Sequence, residues 1–448
     1  MPRSLINKIM DKVSGSKTSI SALQSVRFQP EQIPHRRISK NALKVIERLQ
    51  AKGYQGYLVG GGVRDLLLNM RPKDFDVATN ATPEQVKACF GNARIIGRRF
   101  RLVHVRFGRE IIEVATFRGN QDDSNKISMS KEGMLTRDNH WGSLDDDAVR
   151  RDFTVNALYY DSQSQQLLAL PGGMEDLQTK VLRIIGDPST RYREDPVRML
   201  RAARFAVKLD FELDQQTRAP IPDLANLLQK IPAARLFDEV IKLLMSGRGL
   251  DTFRQCNELG LMAPMFPDSW QAMAQDDSGR LMATIEQGLM STDQRIQAER
   301  PVTPAFLYAL LLWPAVLHFW RYYHQRGKPG STALNQAINH VLARHASFVA
   351  IPKRFSIPMR EIWELQPRLT RTGKQRNLAV LNHGRYRAAY DFLLMRERSG
   401  EESSNYSKWW DQAWQEKQSS QFATNEPDPS ANSGYRSQRA RRPSNHGR

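Results

Sequence analysis

The sequence predicts an α/β domain followed by all-helical domains, with disordered basic tails at both ends. Strand and helix signals mix between residues 41 and 186, which is typical of an α/β unit. From residue 187 to residue 400 the apolar residues recur at helical spacing instead. The outer segments are polar and basic, and they hold too few apolar residues to build a core.

Five regions follow from these patterns. They are a basic N-terminal tail, an α/β domain, two successive helical regions and an Arg-rich tail, spanning residues 1–40, 41–186, 187–250, 251–400 and 401–448. The first helical region carries two apolar faces at helical spacing, formed by Leu200, Ala203 and Val207 and by Leu236, Val240 and Leu243. Each face predicts a helix that packs against a core.

The net charge indicates a polyanionic partner. The chain has 66 Lys and Arg against 47 Asp and Glu, which gives a formal net charge of +19. A field of this sign attracts nucleic acid at long range. The alternative is a surface whose charge serves solubility alone.

Other features bear on the cellular compartment. Cys89 and Cys256 are the only cysteines and cannot form a disulfide framework or a four-ligand metal site, so a reducing cytoplasm is expected. The first 20 residues lack the apolar segment of a secretory signal. Pro304–Trp320 is apolar but short, and Pro314 interrupts it, so it predicts a buried helix and no transmembrane segment.

A glycine turn is the first motif of the α/β domain. The apolar run Tyr57–Val59 leads into three glycines, after which a short helix is predicted. Glycines at a strand-to-helix turn let backbone N–H groups approach phosphate, and Arg64 could add a charged contact. Such turns are common, so the motif alone is weak. Asp65 stands where a dinucleotide fingerprint requires glycine, which disfavours that class of site.

Two aspartates follow at strand spacing. Asp74 and Asp76 are two residues apart, so a strand would place both carboxylates on one face and Phe75 and Val77 on the other, in the core. Carboxylates held this close repel each other unless a cation lies between them. Mg²⁺ takes such oxygen ligands together with substrate phosphates. The alternative is a pair of surface acids, but the apolar neighbours indicate a buried strand.

A hairpin comes next, with strands predicted over Leu102–Phe107 and Ile111–Phe117 and a turn at Gly108. Glu113 lies in the β-branched run of the second strand. An acid in such a run needs a partner, so Glu113 is a candidate third ligand for the same metals. The alternative is a glutamate on an edge strand that faces water.

Four motifs together resemble those of class II nucleotidyltransferases, the family that contains bacterial poly(A) polymerases and tRNA CCA-adding enzymes. They are the glycine turn, the Asp74/Asp76 pair, Arg150–Asn156 (RRDFTVN) and Arg193–Arg198 (REDPVR), in the family's order. The resemblance covers roughly residues 43 to 250. It implies a nucleotidyltransferase head, a helical nucleotide-recognition neck and a helical RNA-binding body.

The resemblance also assigns residues. It implies that Asp74 and Asp76 are the metal ligands, that Gly61 and Arg64 contact the nucleotide, and that Asp152 belongs with the catalytic acids.

The last two motifs have a chemical interpretation of their own. Asp152 and Asn156 are four residues apart and would share one face of a helix. Asp195 before Pro196 is typical of a helix N-cap. Arg198, assisted by Arg201 one turn later, would then lie near that carboxylate.

A carboxylate beside a guanidinium can read adenine, because the carboxylate accepts from the amino group and the guanidinium donates to a ring nitrogen. Asp195, Arg198 and Arg201 are therefore candidate base-selecting residues. Arg151 is a candidate to neutralise phosphate charge. The alternative for Asp195 and Arg198 is an ordinary surface ion pair.

Poly(A) polymerases and CCA-adding enzymes share these motifs, so other segments decide between them. Ile95–Val105 resembles the poly(A) polymerase form, with Arg101 and Leu102 where the CCA-adding form has a small pair. Glu110–Gly119 and the basic C-terminal tail agree with that form. A CCA-adding enzyme remains the first alternative. An Asp-x-Asp glycosyltransferase would leave the net charge unexplained, and an inactive RNA-binding relative does not fit, because all the expected carboxylates are present.

The resulting hypothesis is template-independent addition of AMP from ATP to RNA 3′ ends. Asp74 and Asp76, with Glu113 as a possible third ligand, would hold two Mg²⁺ ions that activate the 3′-hydroxyl and steady the triphosphate. The expected partners are RNA 3′ ends and ATP, with RNA-decay machinery as a further candidate. The expected state is a cytoplasmic monomer.

Overall fold

The computed structural model describes residues 21–97, 101–119, 140–373, 375–403 and 405–424. These residues form two compact units. The first unit contains the described residues up to Trp270 together with Thr292–Pro301 and Ala343–Ile351. The second unit contains Gln271–Ser291, Val302–Leu342 and the described residues from Pro352 onward. The division of the chain into five regions stays a prediction.

The first unit is built on an eight-stranded sheet in the order β1-β8-β7-β2-β3-β6-β5-β4. Neighbouring strands are antiparallel except β3 and β6, which run parallel. The strands β1 to β8 are Gln24–Val26, Tyr57–Val59, Asp76–Thr79, Ala93–Ile96, Leu102–Phe107, Glu110–Thr116, Leu158–Asp161 and Gln166–Ala169. A separate parallel pair consists of β9 (Val181–Leu182) and β10 (Glu212–Leu213).

Helices connect these strands, and the predicted mixture of strands and helices is confirmed. Helices α1 to α5 are Lys40–Gln50, Gly61–Leu67, Pro83–Cys89, Leu144–Arg150 and Gly173–Gln178. On one side of the sheet, Val59, Ala78, Phe117 and Tyr159 form a core cluster with Leu23. Both cysteines are buried and free.

The prediction of a tail up to residue 40 is wrong for residues 21–40. Residues Gln24–Val26 form β1 and pair with β8 at the edge of the sheet. Leu23, Ile33 and Ile38 are buried. The apolar residues of this segment are too widely spaced to show a helix or strand period, so the sequence pattern did not reveal that they reach the core. Residues 1–20 lie outside the described residues.

Eight further helices follow the sheet in the first part of the chain. Helices α6 to α13 are Pro188–Glu194, Val197–Leu209, Gln215–Arg218, Ile221–Leu224, Ala233–Leu244, Gly249–Glu258, Met262–Met265 and Pro267–Ala274. The predicted apolar faces are present in α7 and α10, where Leu200, Ala203, Leu236, Val240 and Leu243 are buried and Val207 is half-buried.

The remaining described chain is helical as predicted. Helices α14 to α19 are Arg280–Gln297, Pro304–Gln325, Gly330–His345, Lys353–Leu369, Tyr386–Arg398 and Asn405–Thr424. Pro314 lies inside α15 and does not end it. The N-terminal two thirds of α15 are buried, as predicted. Within the described residues, no helix has both the length and the apolar character needed to cross a membrane.

The prediction of a disordered tail from residue 401 is wrong for the residues that form α19. Trp410 of this helix is fully buried and packs in one cluster with Leu369 and Tyr386. Its indole Nε1 donates to the Leu369 carbonyl oxygen at 2.7 Å. The polar composition hid this helix, because a few large aromatic side chains provide the apolar surface that a longer periodic pattern usually provides. The Arg-rich end after Thr424 lies outside the described residues.

We expect Trp410→Ala to lower the free energy of unfolding of the second unit by about 3–5 kcal/mol, because it removes a buried indole and leaves the Leu369 carbonyl without its donor. Urea titration followed by near-ultraviolet circular dichroism measures the change. The matched control is Trp414→Ala in the same helix, whose side chain is 38% exposed. Equal losses in the two variants would show that α19 is not anchored through Trp410.

Candidate active site

The predicted strand, glycine turn and helix are present at the centre of the sheet. Strand β2 lies between β7 and β3 and leads directly into α2. Gly60 has φ +68°, in the left-handed region that favours glycine. A Cβ atom at Gly60 would lie 3.3 Å from Nη1 of Arg151, and one at Gly62 would lie 3.2 Å from the Asp74 carbonyl oxygen. The glycines thus allow Arg151 and the Asp74 loop to approach the turn closely.

The acidic residues converge beside this turn. Asp76 is the first residue of β3, and its register partner on the parallel strand β6 is Glu113. Asp74 precedes β3 and is exposed, so the predicted strand includes only the second aspartate. Burial, the charge of Glu113 and the charge of Asp74 raise the pKa of Asp76 to about 6, against the opposing effect of Arg151. This is the crowding of like charges that the sequence predicts.

Glu113 does not lie on an edge strand, so that alternative is wrong. Strand β6 is flanked by β3 and β5. The Glu113 side chain is 50% exposed, and its Oε1 lies 3.1 Å from Nε2 of His104 on β5. Glu113 is therefore open to solvent while it sits beside Asp76.

The donor set fits a hard divalent cation that is completed by substrate. Carboxylate oxygens are the ligands that Mg²⁺ prefers, and a bound cation would relieve the repulsion that raises the pKa of Asp76. No three His, Cys, Asp or Glu side chains among the described residues form a ready cluster for a metal. The missing ligands would have to be phosphate oxygens and water, as is usual for Mg²⁺ in phosphoryl transfer.

Arg151 is held next to the carboxylates by Asp147 and Tyr159. Its Nη2 lies 3.0 Å from Oδ2 of Asp147, and its Nε donates to the Tyr159 hydroxyl at 2.7 Å. The guanidinium carbon lies 4.9 Å from the Tyr159 ring centroid. The Tyr159 hydroxyl in turn donates to Asp147 at 2.6 Å. These contacts fix the guanidinium near Gly60, where it lowers the pKa of Asp76.

The Arg64 guanidinium lies beside the glycine turn, because a Cβ atom at Gly61 would lie 3.3 Å from its Nη2. The Arg64 side chain is 2% exposed and pairs with Oδ1 of Asp65 at 2.5 Å. A second donor of the guanidinium bonds to Oδ1 of Asn156, and the guanidinium carbon lies 5.4 Å from the Phe205 ring centroid. The contact of Gly61 and Arg64 with the nucleotide stays a prediction.

Asp152 lies outside any helix, so the predicted helical stretch is wrong. Helix α4 ends at Arg150, Phe153 makes an isolated bridge to Ile184, and a 3₁₀ turn spans Thr154–Asn156. Asn156 still reaches Asp152, and its Nδ2 donates to Oδ1 at 3.1 Å.

The other oxygen of Asp152 binds the helical part of the unit. Oδ2 of Asp152 accepts from Nε of Arg201 on α7 at 2.7 Å. Burial opposes ionisation, but Arg201 and Asn156 outweigh it and bring the pKa of Asp152 down to about 2. Both carboxylate oxygens are thus engaged by the protein. This arrangement is typical of a positioning residue.

Asp195 is not the N-cap of α7. It follows the end of α6, and Pro196 precedes the first residue of α7 without a side-chain cap. Its Oδ2 accepts from Nη2 of Arg235 at 2.8 Å, whereas its Oδ1 is buried and has no hydrogen-bond partner among the residues that the structure describes. A buried, unpartnered acceptor is costly unless a ligand satisfies it.

The predicted side-chain pair of Asp195 with Arg198 does not form, nor does the surface ion pair that was its alternative. Arg198 Nη1 donates to Oε2 of Glu194 and to the Arg191 carbonyl, both at 2.8 Å.

Several residues at the site were not predicted. His104 contacts Glu113, and the pairing of the hairpin strands could have revealed it. Asp147 holds Arg151 at helical i,i+4 spacing, which is a readable signal. Arg191, whose Nη2 donates to the Arg150 and Arg151 carbonyls at 2.6 and 2.8 Å, leaves no pattern in the sequence.

The two sequence segments that favour the poly(A) polymerase form lie in the sheet: Ile95–Val105 contains the end of β4 and most of β5, and Glu110–Gly119 contains β6 with Glu113. Arg101 pairs with Glu84 in an exposed salt bridge. Residues 98–100 and the loop 120–139 lie outside the described residues.

Family models match most of the chain. Residues 56–183 match the poly A polymerase head domain, residues 210–273 match a probable RNA and SrmB- binding site of polymerase A, and residues 326–446 match the polymerase A arginine-rich C-terminus.

Curated relatives extend the match. Poly(A) polymerase I of Salmonella typhi is 47% identical over 84% of this chain and 83% of its own length. Poly(A) polymerase I of Haemophilus influenzae is 45% identical over 84% and 85%. A CCA-adding enzyme of Lactobacillus helveticus is 39% identical over only 45% and 49%.

Solved structures agree on the fold. The Thermotoga maritima CCA-adding enzyme complexed with tRNA aligns with a TM-score of 0.58 at 17% identity, over 88% of this chain and 86% of that one. At this identity the likeness concerns the fold alone. The sequence matches go further, and the chain belongs to the bacterial poly(A) polymerase family of class II nucleotidyltransferases.

Proposed function

We propose that this protein adds AMP from ATP to RNA 3′ ends without a template. The observation that carries this proposal is the extent of similarity to the two kinds of relative. Poly(A) polymerases align over 84% of the chain, whereas a CCA-adding enzyme aligns over 45%. The net charge of +19 supports a sequence-independent grip on RNA phosphates.

Phosphoryl transfer would take place at the N-terminal end of β3, where Asp76 lies. Asp76, Asp74 and Glu113 provide the carboxylates for divalent cations, for which we propose Mg²⁺ and two sites. Cations held there would lower the pKa of the RNA 3′-hydroxyl and screen the triphosphate. Arg151, fixed by Asp147 and Tyr159, adds a positive charge on the same side of the turn. The lack of a side chain at Gly60 and Gly61 lets the guanidinium groups of Arg151 and Arg64 lie close to the turn, where they could meet phosphate.

Adenine selection would rest on Asp195. Its unpartnered Oδ1 can accept a hydrogen bond from the adenine 6-amino group. Arg235 on Oδ2 keeps the carboxylate oriented. Arg198 could contribute its donor to a ring nitrogen only by leaving Glu194, so we propose it as a partner that moves when nucleotide binds.

Arg64, Asp152 and Arg201 act as positioning residues in this proposal. Asp152 and Arg201 join the loop after α4 to α7, and Arg64 joins α2 to the same loop through Asn156. We further propose that the protein works as a cytoplasmic monomer whose products enter RNA decay.

The decisive test is incubation of the purified protein with a divalent cation and a generic RNA oligonucleotide, with each nucleoside triphosphate supplied separately. Long ladders with ATP alone are expected on denaturing gels. Additions that stop after a few residues, depend on CTP and require a tRNA-like end would assign the CCA-adding activity instead.

We expect Asp74→Asn and Asp76→Asn each to reduce AMP incorporation at least about a thousandfold, because each removes a charge from the cation site. The melting temperature should change little. Asp210→Asn is the matched control, since Asp210 caps α7 in a left-handed conformation that Asn also adopts readily. Normal incorporation by a folded Asp76→Asn protein would refute the assignment.

We expect Asp195→Asn to lower the preference for ATP over GTP about ten- to a hundredfold, because a carboxylate accepts from the adenine 6-amino group but repels the guanine 6-carbonyl oxygen, to which the amide of Asn can donate. Single-nucleotide incorporation with the two triphosphates in competition measures the ratio. A variant that loses rate equally with both triphosphates would make Asp195 a structural residue.

A further inference from the structure

The second unit contains a cavity that the proposed reaction does not use. Its volume is about 380 Å³, within the range of small-ligand sites. One wall is the C-terminal part of α15, where His318, Arg321, Tyr322 and Gln325 follow one another at helical spacing. The lining also includes Arg280, at the start of α14.

The acidic residues of the cavity are already engaged. Oδ1 of Asp276 accepts from the Ser278 hydroxyl, and Oδ2 accepts from the Leu281 backbone N–H at 2.8 Å. Glu401 accepts from Nε1 of Trp313 at 2.9 Å and forms an ion pair with Arg396, also at 2.9 Å. These carboxylates have little capacity left for a ligand.

The basic residues of the cavity differ from the acidic ones in their pairing. Arg280 and Arg321 are both exposed, and neither forms an ion pair with a residue in the described part of the chain. Arg396, which lies outside the lining, pairs with both Glu401 and Glu402, so the Glu401 carboxylate is occupied. The cavity therefore offers an anion the guanidinium donors of Arg280 and Arg321, while its two carboxylates are bound within the protein.

An aromatic ring stands beside these cations. Tyr322 is 37% exposed, which is unusual for a residue of its size in this fold. The Arg326 guanidinium carbon lies 4.1 Å from its ring centroid, and Tyr323 supports it edge-on at 5.3 Å. A ring that is held in place and still exposed can stack on a nucleobase, and the neighbouring arginines can hold phosphate.

We propose that this cavity binds one nucleotide of the RNA substrate, upstream of the reacting 3′ end. Tyr322 stacks on the base, while Arg280 and Arg321 contact the backbone phosphates. RNA fits better than an acidic protein segment, because the site combines an exposed aromatic ring with two exposed arginines. This inference rests on the proposed function for the identity of the polymer.

The test uses the full chain and a fluorescein-labelled oligoadenylate with a 3′-deoxy end, without ATP, so that binding is separated from catalysis. We expect the double variant Arg280→Gln/Arg321→Gln to weaken binding roughly tenfold and to reduce the slope of log affinity against log salt by about 1 to 2. Tyr322→Ala should weaken binding roughly tenfold with an unchanged slope, because stacking releases no counterions.

The matched control is Arg387→Gln, which removes one charge elsewhere in the second unit, at a side chain that is 77% exposed. AMP incorporation at saturating RNA should equal that of the unmodified protein in all these variants. The proposal is overturned if the cavity variants bind RNA normally or if Arg387→Gln weakens binding as much as they do. A protein that binds the oligoadenylate through the cavity but never incorporates AMP would overturn the proposed function and leave the site intact.

Discussion

The carboxylate of Asp152 is the interaction on which the arrangement of the first unit depends. One of its oxygens accepts from Asn156, which also accepts from the buried Arg64 of α2. The other accepts from Arg201 of α7. The glycine turn, the loop after α4 and the helix beside Asp195 are therefore connected through one buried charge. A buried polar network of this kind is stable only when every member has its partner, so it fixes the three elements in one geometry.

A second constraint works in the opposite direction. At the first residue of β3 the parallel pairing with β6 brings Asp76 beside Glu113. Burial, together with the charges of Glu113 and Asp74, raises the pKa of Asp76 to about 6. The fold thus engages both oxygens of the Asp152 carboxylate, which suits a positioning residue. It leaves the Asp76 carboxylate with a raised pKa, which suits a residue that binds a cation.

Much of this arrangement could be predicted from the sequence, because it depends on residues that are close together along the chain. The turn after Tyr57–Val59, the buried faces of α7 and α10 and the grouping of Asp76 with Glu113 all depend on spacing along one element or on neighbouring strands. The orientation of Arg64, the partner of Asp195 and the non-helical path through Asp152 depend on residues that are distant in sequence. Helix α19 and strand β1 were missed because a few well-placed apolar residues were enough to anchor them.

The first unit is also discontinuous along the chain. Thr292–Pro301 and Ala343–Ile351 return to it, and the Gly249 and Leu250 backbone N–H groups donate to the Asp293 carboxylate at 2.7 and 2.9 Å. On the ribosome the sheet emerges first, and the last returning segment, Ala343–Ile351, ends about 80 residues after Trp270, which takes roughly ten seconds at ordinary bacterial elongation rates. The nascent polypeptide therefore exposes an incomplete helical surface during that interval, when a chaperone could bind it.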